Sequence, residues 1–114
     1  MVRTARASIT VGAKSGEERR IPLAWFPGPD GSWVVVAAAA GAPRNPAWYY
    51  NLKAAPDRAR VELPGRSVAV TAEQLHGEER EQAWRQVVAA APQFATYQEG
   101  TDRELPVIRL VPRT

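Results

Sequence analysis

Trp33-Val34-Val35-Val36-Ala37-Ala38-Ala39-Ala40-Gly41-Ala42 is the longest apolar run of the chain, and whether it is strand or helix decides the fold. Four alanines favour a helix, whereas tryptophan followed by three valines favours a strand. The turn-forming Gly41-Ala42-Pro43 follows too soon for a whole helix. We therefore read residues 33–39 as a strand, and since no polar residue interrupts it, as one buried on both faces. The run is half the ~20 residues that a bilayer span needs, so no membrane-spanning segment is expected.

Upstream, Pro27-Gly28-Pro29-Asp30-Gly31 is dense turn chemistry of the hairpin kind. Before it, Arg19 to Phe26 reads as a strand interrupted by Pro22, Gly12 to Gly16 as a turn and Ala5 to Val11 as a first strand. Downstream, Asn45-Pro46-Ala47-Trp48-Tyr49-Tyr50-Asn51-Leu52 has the form of a helix start. Asn45 would serve as N-cap and Pro46 as first helical residue. Trp48, Leu52 and Ala55 share one face, and Pro56 stops the helix. Ala59, Val61 and Leu63 alternate with charged neighbours, Pro64-Gly65 turns, and Val68 and Val70 continue the alternation in a hairpin. A second helix starts near Gly77, with Trp84, Val87, Val88 and Ala91 as its apolar face and Pro92 at its end. Phe94 and Tyr97 follow on a short irregular or helical segment, and Leu105 to Val111 is the last strand. The pattern is mainly β (α+β): six short strands with two to three short helices, in a small antiparallel barrel. The spacings are too short for repeated parallel crossovers.

With 114 residues the chain reads as one domain, 1–114. The absence of cysteine excludes disulfides and thiolate chemistry, and a lone histidine, His76, leaves no basis for a histidine-built metal site. No Ser-His-Asp set or paired-carboxylate arrangement stands out. The N-terminus has arginines without an apolar stretch behind them, so no signal peptide and a cytoplasmic location are expected. A net charge of +3 and a pI near 9.8 suit acidic partners, and suit equally an ordinary soluble surface.

Three constellations remain. Gly12-Ala13-Lys14-Ser15-Gly16, with Arg19 and Arg20 behind it, gathers cations and turn amides that can hold a phosphate or carboxylates, or is a solvated hairpin turn. It lacks the P-loop spacing. The small side chains of Ala37 to Ala40 offer a shallow wall for a planar ring, or simply tight packing. The aromatics Trp25, Trp48, Tyr49, Tyr50, Phe94 and Tyr97 can stack on flat ligands or fill the core, and Tyr97, followed by a polar loop, is the least core-like. A helix N-terminus at Asn45 would add unpaired amides that suit an anion.

In this order the segments resemble the deazaflavin (F420)-dependent nitroreductase family. Gly12 to Leu23 is similar to its G-x-K-[ST]-G-x-x-R-x-x-P-L, and Asn45 to Leu52 to its N-P-x-W-x-x-N-L. Lys53-Ala54-Ala55-Pro56, Tyr97 and Thr101 to Val107 continue the likeness. The resemblance implies a six-stranded split β-barrel, like the FMN-binding barrels. It also implies coenzyme F420 as cofactor and hydride transfer to an electron-poor small molecule: an enone, quinone or nitro compound. On that likeness Ala13, Lys14, Ser15, Arg19 and Arg20 hold the phosphate and acidic tail. Ile21, Pro22, Leu23, Ala24 and Ala37, Ala38, Ala39, Ala40 line the ring, and Ala47, Trp48, Tyr49 and Asn51 close the other side. Trp25, Phe94 and Tyr97 face substrate, Tyr97 as the catalytic candidate. The chain departs from the pattern at Ala39-Ala40, where many relatives have Ser-Lys, and at Phe94, where nitroreductase-active relatives often have tyrosine.

The chemistry agrees with such a cofactor, which brings its own reactivity and asks the protein only to position it. The alternatives are an FMN-binding barrel, a cofactor-binding protein without turnover and, last, a basic barrel for single-stranded nucleic acid. The basic residues are scattered along the chain, so nucleic acid is not the expected partner, and no stable membrane anchor is expected.

Overall fold

The computed structural model describes residues 5–12, 18–38, 41, 42, 44–63 and 65–113, with residues 5–12 and 18–22 by their backbone. The elements run β1 (Ala5–Gly12), β2 (Glu18–Pro27), β3 (Trp33–Val36), α1 (Ala47–Ala54), β4 (Ala59–Leu63), β5 (Arg66–Gln74), α2 (Gly77–Ala90), α3 (Gln93–Glu99) and β6 (Val107–Pro112). Single 3-10 turns occupy Pro29–Gly31 and Pro56–Arg58. The strands lie in the order β1, β2, β3, β6, β5, β4, and β4 returns to β1. Every pairing is antiparallel, so the chain is a curled antiparallel sheet with three helices.

β3 shows why the apolar run has no polar break. All four of its residues are buried. Trp33 and Val35, then Ala37, join an inner cluster with Trp48, Tyr49 and Leu52 of α1, Val61, Val70, Ile108 and Leu110. Val34 and Val36, then Ala38, join an outer cluster with Ala83 and Val87 of α2, Phe94 of α3, and Val107. Side chains alternate across a strand, so a strand covered on both sides needs apolar residues at every position. The regular strand ends at Val36, short of Ala39, but Ala37 and Ala38 stay buried, and the Ala37 amide donates to Pro106 O at 2.9 Å. The β4–β5 hairpin follows its pattern: Ala59, Val61 and Val70 are buried, and Val61 stands opposite Val68.

Three expectations are corrected. β2 is not interrupted at Pro22, which pairs in register with Ser8. A proline is tolerated in a strand where no ladder bond needs its N–H, and β2 has no second neighbour before Phe26. Asn45 is not the N-cap of α1: Pro46 holds that place with extended backbone and no side-chain cap, while the Asn45 side chain accepts from Arg103. The buried face of α2 is Arg80, Ala83 and Val87, with Ala91 just beyond, whereas Trp84 and Val88 are only half-buried. Arg80 turns the helix that way because its guanidinium donates to Leu105 O at 2.9 Å and lies over the Trp84 ring at 5.3 Å.

Candidate functional site

β2 is paired to β1 along its length, from Ala5↔Trp25 to Gly12↔Glu18. Toward β3 it pairs only at Phe26↔Val34 and Pro27↔Trp33. β3 itself goes on pairing with β6, from Trp33↔Leu110 to Val36↔Val107. From Trp25 back toward Glu18, β2 thus parts from β3, and that edge has no strand partner among the described residues. An unpaired strand edge is a row of backbone donors and acceptors open to a ligand.

The walls of this gap are small or aromatic. Leu23, Ala24 and Trp25 are half-buried on the β2 side, and Ala37 and Ala38 are buried on the β3 side. Leu23 and Trp25 pack against the inner cluster, which also holds Ala37 and Trp48, so the gap has an apolar floor. Trp25 Nε1 is buried without a hydrogen-bond partner among the described residues. Such a donor costs about 1–3 kcal/mol unless something accepts from it.

One side chain fastens the β3 end to the start of α1. Arg103 donates from Nε to Ala42 O (2.8 Å), from Nη1 to Ala37 O (3.1 Å) and Asn45 Oδ1, and from Nη2 to Ala38 O (2.8 Å). Its own backbone is held in turn: Gln98 Nε2 donates to Arg103 O at 2.7 Å, and Leu105 N donates to Gln98 Oε1 at 2.9 Å. Gly41 lies in the same loop at φ 80°, and a Cβ there would stand 2.8 Å from Tyr97 O. Only glycine lets α3 back onto this loop so closely.

The cations elsewhere are differently occupied. Arg109 reaches Glu73 at 3.1 Å and Glu79 at 3.0 Å, and the Glu73 hydrogen bond, working against burial, is the main reason its pKa is raised. Arg80 lies 3.3 Å from Glu104 and 3.5 Å from Glu81. Arg103 pairs with no carboxylate among the described residues.

The inner cluster brings together Leu23, Trp25, Ala37 and Trp48, whereas Ala24 lies between Leu23 and Trp25 on β2 and Ala38 belongs to the outer cluster. Ala47 is exposed and Asn51 half-buried on the same helix as Trp48. Tyr49 is buried, but its hydroxyl donates to Gln74 Oε1 at 2.7 Å, beside a cavity of about 180 Å³ that Leu52, Ala72 and Ile108 also line. Phe94 is in the outer cluster, edge-on to Phe26 at 5.8 Å and to Tyr97 at 5.5 Å, and Tyr97 is half-buried. Arg19, Arg20, Ile21 and Pro22 lie on β2, opposite Val11, Thr10, Ile9 and Ser8. Ala13, Lys14, Ser15, Ala39 and Ala40 lie outside the described residues. Trp25 is among the expected substrate-facing residues, but not for its N–H, and Arg103 falls within the family-like segment Thr101 to Val107 with no role assigned to its fork. No helix among the described residues is long and apolar enough to cross a membrane, and no group of His, Asp and Glu among them could hold a metal.

Comparison with known proteins adds the following. The family model described as F420H(2)-dependent quinone reductase matches residues 8–112. An F420H(2)-dependent quinone reductase of Mycobacterium tuberculosis H37Rv is 35% identical over 107 residues, which is 91% of this chain and 70% of that protein. A solved structure described as an F420-H2 dependent reductase (FDR-A) has 36% identity and a TM-score of 0.84, over 96% of this chain and 99% of its own. Another, described as a domain-swapped dimer, has 37% identity and a TM-score of 0.85, over 96% of this chain and 81% of its own.

Proposed function

This chain belongs to the F420H(2)-dependent quinone reductase family, and on that premise we propose that the parting of β2 from β3 is its cofactor cleft. The chain is an F420-dependent oxidoreductase, and a quinone is the acceptor that its family names. We read the architecture as a six-stranded split β-barrel, with the split at the β2–β3 seam. The observation that carries the assignment is the unpaired β2 edge standing over an apolar floor. A deazaflavin ring is flat, with a polar edge that can both donate and accept. It needs apolar faces around it and backbone groups beside that edge.

Bound there, reduced deazaflavin supplies a hydride to the acceptor, and a quinone takes that hydride with one proton to become the hydroquinone. The residues of the chain bind and orient. Leu23 and Ala24 on one side and Ala37 to Ala40 on the other leave room for the ring. Trp48, in the first turn of α1, closes the cleft with backbone amides that have no partner inside the helix. Lys14, Arg19 and Arg20 take the phosphate and acidic tail through charge-assisted hydrogen bonds. The Trp25 indole N–H, with no acceptor among the described residues, is free for the ring or the substrate. The backbone of Tyr97 lies against Gly41 of the cleft loop, and its phenol or solvent supplies the proton. Tyr49 contributes packing, its hydroxyl being committed to Gln74.

Anaerobic titration of the protein into F420, followed by fluorescence, tests binding. Oxidation of reduced F420 by menadione, compared with an enone and a nitroarene, tests turnover. We expect binding and fastest turnover with the quinone. A protein that ignores F420, or that purifies yellow with FMN, would overturn the assignment.

A further inference from the structure

A guanidinium carries five N–H donors in a rigid planar fork, and four of those on Arg103 are spent on one short stretch of chain. The acceptors are three main-chain carbonyls and one side-chain amide oxygen, all neutral. A salt bridge is not the purpose of this contact. The carbonyls of Ala37 and Ala38 belong to the strand end that forms one wall of the gap, and Asn45 immediately precedes the start of α1. Among the described residues the Ala37 carbonyl has no other donor, since β3 has already ended at Val36, and the Ala38 carbonyl is shared with Gly41 N at 2.8 Å.

Resting on the reading of the gap as the cofactor cleft, we propose that Arg103 is its positioning residue. The fork holds the β3 end and the α1 start at a fixed separation, and so sets the width of the slot for the ring. Gln98 extends the device into α3 by holding the Arg103 carbonyl and the Leu105 amide just after it, and Gly41 lets α3 approach the loop. The Arg103 charge, unmatched by a described carboxylate, adds a positive field beside a site for an acidic ligand.

Arg103→Lys keeps the charge and removes the fork, because an ammonium cannot reach four acceptors spread around a plane. The readouts are F420 affinity by fluorescence and kcat/KM with menadione, both measured well below the unfolding midpoint. Misplacement of about 1 Å can cost a hundredfold in rate, so we expect losses of about tenfold or more in each. Val87→Ala, buried on α2 and outside the Arg103 fork, serves as a destabilised control and should keep wild-type affinity. If Arg103→Lys does not fold, Asn45→Ala carries the test, with Kd expected to rise about threefold to tenfold for the loss of one anchor. Wild-type affinity and rate in the folded Arg103→Lys, or wild-type affinity in Asn45→Ala where that carries the test, overturns the proposal. So does an equal loss in Val87→Ala. Failure of the wild-type protein itself to bind F420 would instead overturn the assignment of the cleft.

Discussion

β3 has two neighbours and treats them differently. With β6 it forms a seam paired at Trp33, Val34, Val35 and Val36, sealed on both faces by the inner and outer clusters. With β2 it pairs at two positions and then parts, leaving backbone groups and an indole N–H without partners among the described residues. The same strand is scaffold on one edge and, in the function proposed, binding wall on the other. A sheet can leave one seam open because the remaining seams and the helices carry the stability. What must then be supplied separately is the shape of the opening, and an arginine fork supplies it where strand pairing has stopped.

The comparison breaks most visibly at the closed seam. Leu110 lies opposite Trp33 and is fully buried in the inner cluster. Leu110→Ala should lower stability by about 2–5 kcal/mol, read as a drop in the urea midpoint. F420 affinity of the folded fraction should stay at wild type. A loss of affinity as large as the loss of stability would mean that the two seams are not separable.

At the open seam the order reverses. Arg19→Ala should leave the urea midpoint nearly unchanged and raise the Kd for F420 about ten- to a hundredfold, the size expected for one charge-assisted hydrogen bond. The loss should shrink as salt is added, since exposed charges are screened. Affinity insensitive to both the substitution and salt would remove Arg19 from the phosphate site.

How much of this was readable beforehand follows from what each signal measures. The Trp33–Ala38 run was legible because burial on both faces leaves a direct mark, an apolar residue at every position. The β4–β5 hairpin was legible for the complementary reason, since one covered face marks every second residue. The buried face of α2 differs from the apolar one because periodicity follows apolar residue types, whereas Arg80 is buried through Leu105 O and Trp84. Asn45 has the right chemistry for a cap and is engaged by Arg103 instead. The partners of Arg103 lie some 58 to 66 residues away in sequence, beyond any local pattern. The family motifs located the strand end and the helix start. They did not reveal what holds the two together.

A smaller effect sharpens the contrast at Trp25. Trp25→Phe removes an N–H that has no partner among the described residues, so the relief offsets part of the lost packing, and stability should change by no more than about 1 kcal/mol. Binding, however, loses a donor. The Kd for F420, or the KM for menadione if the donor serves substrate, should rise about threefold to tenfold. Unchanged values for both would leave the orphaned N–H without a ligand role.

The smallest effect belongs to the ion pairs on the closed side. Arg109 stands opposite Glu73 across β5 and β6 and also reaches Glu79 of α2, whose side chain is 66% exposed. Glu79→Gln removes one of two carboxylates and leaves the cross-strand partner at 3.1 Å, so Arg109 keeps a charged neighbour. Exposed pairs of this kind contribute about 0.2–1 kcal/mol, and the substitution should fall toward the low end, within the error of a urea titration at high salt. F420 binding should not change, because this arginine's charge is already neutralised and sits on the sealed edge of β3. Arg103 faces neutral carbonyls on the open edge, and there loss of the fork should be felt in the ligand. If Glu79→Gln weakened F420 binding, net charge anywhere on the surface would be guiding the cofactor. The distinction between a sealed seam and a shaped one would then no longer account for where the basic residues matter.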